Sequence, residues 1–171
     1  GILSWGQDLD AEHNPFQCNL GYQVSLSGKG EWNKTADYVG KEALEKMKEE
    51  IKNGSKPYKL QLVGLVLGGK PIEEYAPDFW LISNESGGKP VGFITSPWYH
   101  PEKKTNIAMG YVPFDGTLNP NGFPKGKKGT KFKVHLPAKY SEKPGKPVDA
   151  VVVDIPFTES YHANTREVVK G

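Results

Sequence analysis

Apolar residues follow two rhythms along this 171-residue chain, and the rhythm changes near Pro57. Before it, Leu20, Tyr22, Val24 and Leu26 alternate with their neighbours. That predicts a half-buried strand over 17–27, broken by Gly28-Lys29-Gly30. From Lys41 to Asn53 the spacing is helical: Ala43, Leu44, Met47 and Ile51 share one face, and Lys and Glu fill the other. Gly54 sits where a left-handed terminating residue belongs, and Pro57 bars continuation. Beyond Pro57 come short strand-like runs: Tyr58–Leu67, Phe79–Ser83, Val91–Thr95, Asn106–Val112, Lys131–Leu136 and Val148–Ile155. Gly68-Gly69, Gly87-Gly88, Asp115-Gly116, Asn121-Gly122 and Pro144-Gly145 separate them. Many short strands without a second helix predict an antiparallel sandwich or barrel. The fold class expected is α+β, with a strand-and-helix remnant of an α+β domain over 1–57 and a small β-domain over 58–171.

Composition narrows the class. Hydrophobic residues make up 36% and charged residues 25%, the balance of a soluble globular chain; no apolar run is long enough to cross a bilayer as a helix. The net charge of +2 gives no overall field that would select nucleic acid or anionic lipid. A single cysteine, Cys18, excludes an internal disulfide framework and fits a reducing compartment, here the cytoplasm. The chain opens on Gly1-Ile2-Leu3-Ser4-Trp5, which lacks the basic region and cleavage site of a signal peptide. It reads as a piece of a larger protein, the alternative being a tag remnant ahead of a short natural chain.

No motif in the chain carries chemistry by itself. The four histidines are dispersed, with neither a paired-cysteine nor an HExxH signature for a metal, so none is expected. No nucleophile elbow or phosphate-binding glycine loop is present. The run Lys125–Lys133 reads as a solvated hairpin leading into a strand, or as a landing site for an anionic ligand tail. Trp98-Tyr99-His100, set between Pro97 and Pro101, reads as a loop after a strand, either packing back as a lid or presenting aromatic rings to a ligand. Trp5 poses the same choice between stacking on a planar ligand and anchoring its segment.

Five segments in order carry a resemblance. They are Asp8-Leu9-Asp10 with Asn14-Pro15, Tyr38-Val39-Gly40-Lys41-Glu42-Ala43-Leu44, Gly92-Phe93-Ile94-Thr95-Ser96, Ile107-Ala108-Met109-Gly110-Tyr111-Val112, and Pro156-Phe157. Together the chain resembles the C-terminal half of the glycine-cleavage T-protein (aminomethyltransferase) family, which works on tetrahydrofolate. The resemblance implies a remnant of a ferredoxin-like domain followed by a β-barrel or jelly-roll-like domain. It also implies tetrahydrofolate as cofactor, and the N-terminal half of the same protein as the partner that completes the site. Trp5-Gly6-Gln7-Asp8 is similar to a segment that follows the family's pterin-binding glutamate, which would fall just before Gly1; the catalytic aspartate belongs to the N-terminal half. The resemblance therefore implies cofactor contacts at Trp5 and Asp8 and inactivity of this piece alone. A basic residue meeting the folate tail falls among Lys29, Lys34 and Lys41, and a residue after Pro156-Phe157 among Tyr161, His162 and Arg166.

Asn164-Thr165-Arg166-Glu167, Pro77-Asp78-Phe79-Trp80 and Ser96-Pro97-Trp98-Tyr99-His100 are closest to the family's demethylases, in particular the bacterial dimethylsulfoniopropionate branch. That branch implies a small-molecule sulfonium donor met by Trp98, Tyr99 and His100. Glycine-cleavage aminomethyl transfer, another folate-dependent O- or N-demethylation, and a non-catalytic folate-binding module are the other readings. A homo-oligomer remains open.

Overall fold

A computed structural model of the chain describes residues 3–24, 26 and 37–157. Its centre is a closed antiparallel barrel of six strands: β1 (Leu60–Leu67), β2 (Trp80–Asn84), β3 (Pro90–His100), β4 (Thr105–Pro113), β5 (Lys131–Val134) and β6 (Val148–Val153). Around the barrel the order is β1-β4-β3-β2-β5-β6, and β6 returns to β1 with Gly64 opposite Val153. The strands close into one barrel, not the two facing sheets of a jelly roll. Alternation explains the core: Val63, Leu65 and Leu67 of β1 pack with Ile82, Ile94, Ala108, Val112, Val134, Ala150 and Val152 as one buried cluster. Full burial of each Val, Leu or Ile side chain among them contributes roughly 1.5–3 kcal/mol. Gly92 is required on β3, because a Cβ there would overlap the Tyr111 carbonyl of β4.

Two buried amides fasten the barrel's connections. Asn106 donates to Gly68 O (3.2 Å) and Lys70 O (2.9 Å) and accepts from Ile72 N (3.1 Å), tying down the crossing from β1 to β2. Gln61 donates to Gln17 O (3.0 Å) and Asn19 Oδ1 (2.9 Å) and accepts from Tyr58 OH (2.9 Å), tying the N-terminal segment to the start of β1. Unpaired, either amide would cost on the order of 1–3 kcal/mol.

The helix α1 runs Lys41–Lys52, close to the span its spacing predicts. Glu42 in its first turn and Lys52 in its last suit the helix dipole, and Gly54 beyond the end takes φ 82°. Its apolar face, Leu44, Met47 and Ile51, packs with Phe16, Leu26 and Phe123.

The strand expected over 17–27 is not seen among the described residues of that span. Residues 15–19 form turns, and Gly21–Gln23 form a short 3-10 helix. Local hydrogen bonds capture this backbone first: Asn14 Oδ1 accepts from Gln17 N at 2.9 Å, and Leu20 N donates to Pro15 O at 2.7 Å. Phe16 and Cys18 are buried by these turns, not by a pleat. Among the described residues no strand precedes α1, so the ferredoxin-like remnant is not seen. Nor is any described helix long and apolar enough to cross a membrane.

Candidate binding cleft

The N-terminal segment is held on the barrel through Asp8. Its Oδ1 accepts from Thr95 Oγ1 (2.5 Å) and Ser96 Oγ (2.6 Å), and its Oδ2 accepts from Ser4 N (2.9 Å). Two successive residues of a regular strand point to opposite faces. Thr95 and Ser96 reach the same oxygen because the register of β3 against β4 shifts between Ile94 and Ser96. Gln7 adds a second tie, donating to Thr95 O (2.6 Å) and accepting from Tyr75 OH (2.8 Å).

Beneath this segment Tyr111 of β4 stands on the barrel's outer face. Its hydroxyl donates to Asp8 O at 2.7 Å and lies 3.5 Å from Cys18 Sγ. Its ring lies 5.3 Å from that of Phe93 and 4.7 Å from that of His13, whose Nδ1 is 2.7 Å from Asp10 Oδ1. Burial pushes both the Tyr111 hydroxyl and the Cys18 thiol above their ordinary titration ranges. Asp10 is held below the carboxylate range, first by the Glu12 amide and then by His13.

A cleft of about 900 Å³ opens between this cover and the barrel wall. Leu3, Leu9 and Leu20 line one side, Gly64 and Met109 the barrel side, and Ile155-Pro156-Phe157 the chain leaving β6. Gly64 is needed, since a Cβ there would run into Ile155 and lie 3.1 Å from the Phe157 ring. Among the described residues of the lining, Lys125 and Asp154 are the charged ones. They sit 3.3 Å apart, and Lys128 approaches the other Asp154 oxygen at 3.1 Å. The Lys128 contact is the largest cause holding the Asp154 carboxyl below its ordinary range, and the Lys125 contact adds to it.

The residues singled out in the sequence do not converge on this cleft. Asp8 is 2% exposed, with both carboxylate oxygens engaged by the protein. Trp5, 71% exposed, does not line the cleft, and Lys41 begins α1. Trp98, Tyr99 and His100 lie on β3 and not in a loop, paired with Ile107, Asn106 and Thr105 of β4. The strand runs on because Tyr99 N, facing away from β4, finds Ile72 O at 2.9 Å. Pro97, two residues back, faces that same side, where β2 pairing has already ended at Ile94, so its missing N–H interrupts no ladder. Trp98 is half exposed. Tyr161, His162, Arg166, Lys29 and Lys34 lie outside the described residues. In the basic run, Lys131 meets Glu85 (3.6 Å) and Lys133 meets Asp149 (2.6 Å), each one to one. Sequence reasoning did not single out Met109 or Asp154 as lining residues. Of the segments the sequence singled out, those holding Leu9, Met109, Lys125 and the Pro156-Phe157 pair do reach this face.

Residues 61–158 match the family described as the glycine cleavage T-protein C-terminal barrel domain. Over 109 residues the chain is 35% identical to an aminomethyltransferase of Synechococcus sp. (strain CC9902), covering 64% of this chain and 25% of that protein. Over 114 residues it is 36% identical to dimethylsulfoniopropionate demethylase DmdA of Ruegeria pomeroyi, covering 66% and 26%. The crystal structure of glycine cleavage system aminomethyltransferase T from Bartonella henselae matches with a TM-score of 0.62 at 23% identity, over 92% of this chain and 36% of that one. At that identity the likeness speaks to the fold. The chain spans between 25% and 35% of the length of such curated relatives.

Proposed function

The chain belongs to the glycine cleavage T-protein family through its C-terminal barrel domain, and on that premise we propose that it forms one wall of a tetrahydrofolate site in a one-carbon transferase. The observation that carries this reading is the cleft itself. It brings Leu3 and Leu9, in the segment following the expected pterin-binding glutamate, against Pro156-Phe157, which precede the expected tail contacts. A cleft of about 900 Å³ lined by Leu, Met and Phe fits the planar, largely uncharged body of a reduced folate.

The reaction proposed is demethylation of dimethylsulfoniopropionate, giving 5-methyltetrahydrofolate and methylmercaptopropionate. Similarity to the Ruegeria demethylase supports it. When bound, tetrahydrofolate would supply N5 as the methyl acceptor, with the sulfonium sulfur keeping the electron pair of the S–CH3 bond and the N5 proton released to solvent. This chain's share is positional. Asp8, Thr95 and Ser96 fix the cover, and Leu3, Met109 and Phe157 exclude water from the ring. Trp98 can attract a sulfonium through its ring face, worth about 0.5–2 kcal/mol. Aminomethyl transfer is the second reading, supported by the similarity to the Synechococcus enzyme.

The full-length protein should be incubated with tetrahydrofolate and either dimethylsulfoniopropionate or an aminomethyl-lipoyl donor, and the folate product identified by mass spectrometry. 5-Methyltetrahydrofolate from the sulfonium is the expected result. 5,10-Methylenetetrahydrofolate from the aminomethyl donor would replace it with the second reading. Folate binding without product from either donor would sink both in favour of a binding module.

A further inference from the structure

Three glycines lie inside the described strands: Gly64 in β1, Gly92 in β3 and Gly110 in β4. A glycine gives its strand no side chain to pack, so each of these positions calls for a reason. A Cβ at Gly92 or Gly110 would meet the backbone of the neighbouring strand, Tyr111 O in one case and Phe93 O in the other. Those two glycines serve the barrel itself. At Gly64 the three atoms nearest such a Cβ all belong to the chain leaving β6. They are Ile155 Cγ2, and Phe157 Cε1 and Cζ at 3.1 and 3.2 Å.

The backbone at Gly64 makes no demand for glycine. It takes no left-handed φ, and it keeps register with Met109 of β4 and Val153 of β6 as any strand residue would. What the position excludes is a side chain on the outer face. Val153, opposite Gly64, is the last residue of β6. The chain then turns and crosses back over that same glycine, placing Ile155 and the Phe157 ring where a side chain would stand. Gly64, Met109, Ile155 and Phe157 all line the cleft, so this close approach sets the height of one of its walls.

We propose that Gly64 is a positioning residue for the ligand of the cleft. The side chain it lacks lets the 155–157 strap settle on β1, and the Phe157 ring so placed forms the wall for the ligand's flat body. The ligand class is a planar, largely uncharged ring system. For a reduced folate this is the pterin, and to that extent the assignment rests on the folate reading. A methyl group at position 64 strikes Ile155 Cγ2, which hangs from a stiff, branched Cβ and cannot swing clear. The strap must lift, and Phe157 moves with it.

The full-length protein is titrated, by intrinsic fluorescence, with tetrahydrofolate and with 6-methyltetrahydropterin, the ring without its tail. Gly64→Ala should weaken both to the same extent, about five- to twentyfold, as expected for overfilling a packed site. In an Ile155→Ala background the struck methyl is gone, and the same substitution should cost about twofold or less. Independent sites show no such coupling. Thermal midpoints are recorded alongside. A lower midpoint with both affinities unchanged would make Gly64 a packing residue and overturn the proposal, and so would losses of equal size in the two backgrounds. If Gly64→Ala fails to fold, adding Ile155→Ala should restore folding, and Phe157→Ala alone should weaken both ligands; failure of either overturns the proposal. Should the parent bind neither ligand, the folate reading fails, and neutral N-phenylnaphthylamine takes their place in the same two backgrounds. Weakening by Gly64→Ala that Ile155→Ala abolishes sustains the proposal. Equal affinity throughout, or no dye binding by the parent, overturns it.

Discussion

Asp8 accepts three hydrogen bonds while 2% exposed, so what it holds is felt most when it is cut back. In Asp8→Ala the Thr95 and Ser96 hydroxyls and the Ser4 amide all lose their acceptor in a site closed to water. In Asp8→Asn one oxygen can still serve the hydroxyls, but the new NH2 group faces the Ser4 N–H donor. Urea unfolding should show a loss of about 1–3 kcal/mol for Asn and a clearly larger one for Ala. An Ala variant within about 0.5 kcal/mol of the parent would mean that the cover is held by its leucines alone. The sequence marks Asp8 through the company of Trp5, Gly6 and Leu9, which is enough to single it out. It does not mark the acceptor role. Thr95 and Ser96 are adjacent, and neighbours on a regular strand diverge, so only the register shift after Ile94 lets both reach one oxygen. That shift depends on β4, a contact between distant parts of the chain that no local pattern encodes. Cys18 shows the same limit: a lone cysteine in sequence, it becomes a wall of the cleft through the Asn14-Pro15 turn.

At the scale of elements, most strands of the barrel and α1 were legible because each is a short apolar run bounded by glycine or proline turns, or a helical face of regular spacing. Trp80–Asn84, Thr105–Pro113 and Val148–Val153 lie within two residues of the runs that apolar spacing picks out. The failures came where polar side chains or prolines compete with the period. Asn14 diverts 15–19 into turns. Pro97, read as the end of a strand, is tolerated inside β3 because its nitrogen faces the side that β2 has already left. The consequence for Trp98 is a change of role from loop tip to strand face. It is paired with Ile107 and half exposed, so it contributes little to the core. Trp98→Ala should change unfolding free energy by no more than about 1 kcal/mol. In the full-length protein the sulfonium reading expects it to raise donor KM roughly three- to tenfold, from one lost cation–π contact. Donor KM and turnover both unchanged would leave the ring as surface packing on the outer face.

The whole molecule places its titrating groups unevenly, and this gives its stability two unlike limbs in pH. Barrel closure, which the order of runs in the sequence did not specify, leaves β1 and β4 with an outer face that the N-terminal segment seals. Tyr111 and Cys18 are trapped under that seal, and Tyr58 is likewise pushed up by burial. For an acid raised above its unfolded value, the folded state favours the neutral form. Its stabilisation is complete below the ordinary values of 9.0 for the thiol and 10.0 for the phenols, and is lost as pH rises beyond them. Glu74, Asp149 and Asp154 are lowered instead, by Lys139, Lys133 and Lys128 respectively. Their contribution is present above the ordinary carboxylate values of 3.8 to 4.5 and fades as pH falls through the lower folded values. These carboxylates are mostly exposed and screened, whereas the thiol and phenols must be uncovered before they ionise. The thermal midpoint should therefore be level between about pH 5 and pH 8.5, decline gently on the acid side, and fall more steeply on the alkaline side. Raising salt should flatten the acid limb and spare the alkaline one, since only the first rests on solvent-facing ion pairs. Cys18→Ala should delay the alkaline fall by removing the group that ionises first. An alkaline limb no steeper than the acid limb, or one that salt abolishes, would mean that the N-terminal cover opens readily and that the cleft behind it has a movable wall.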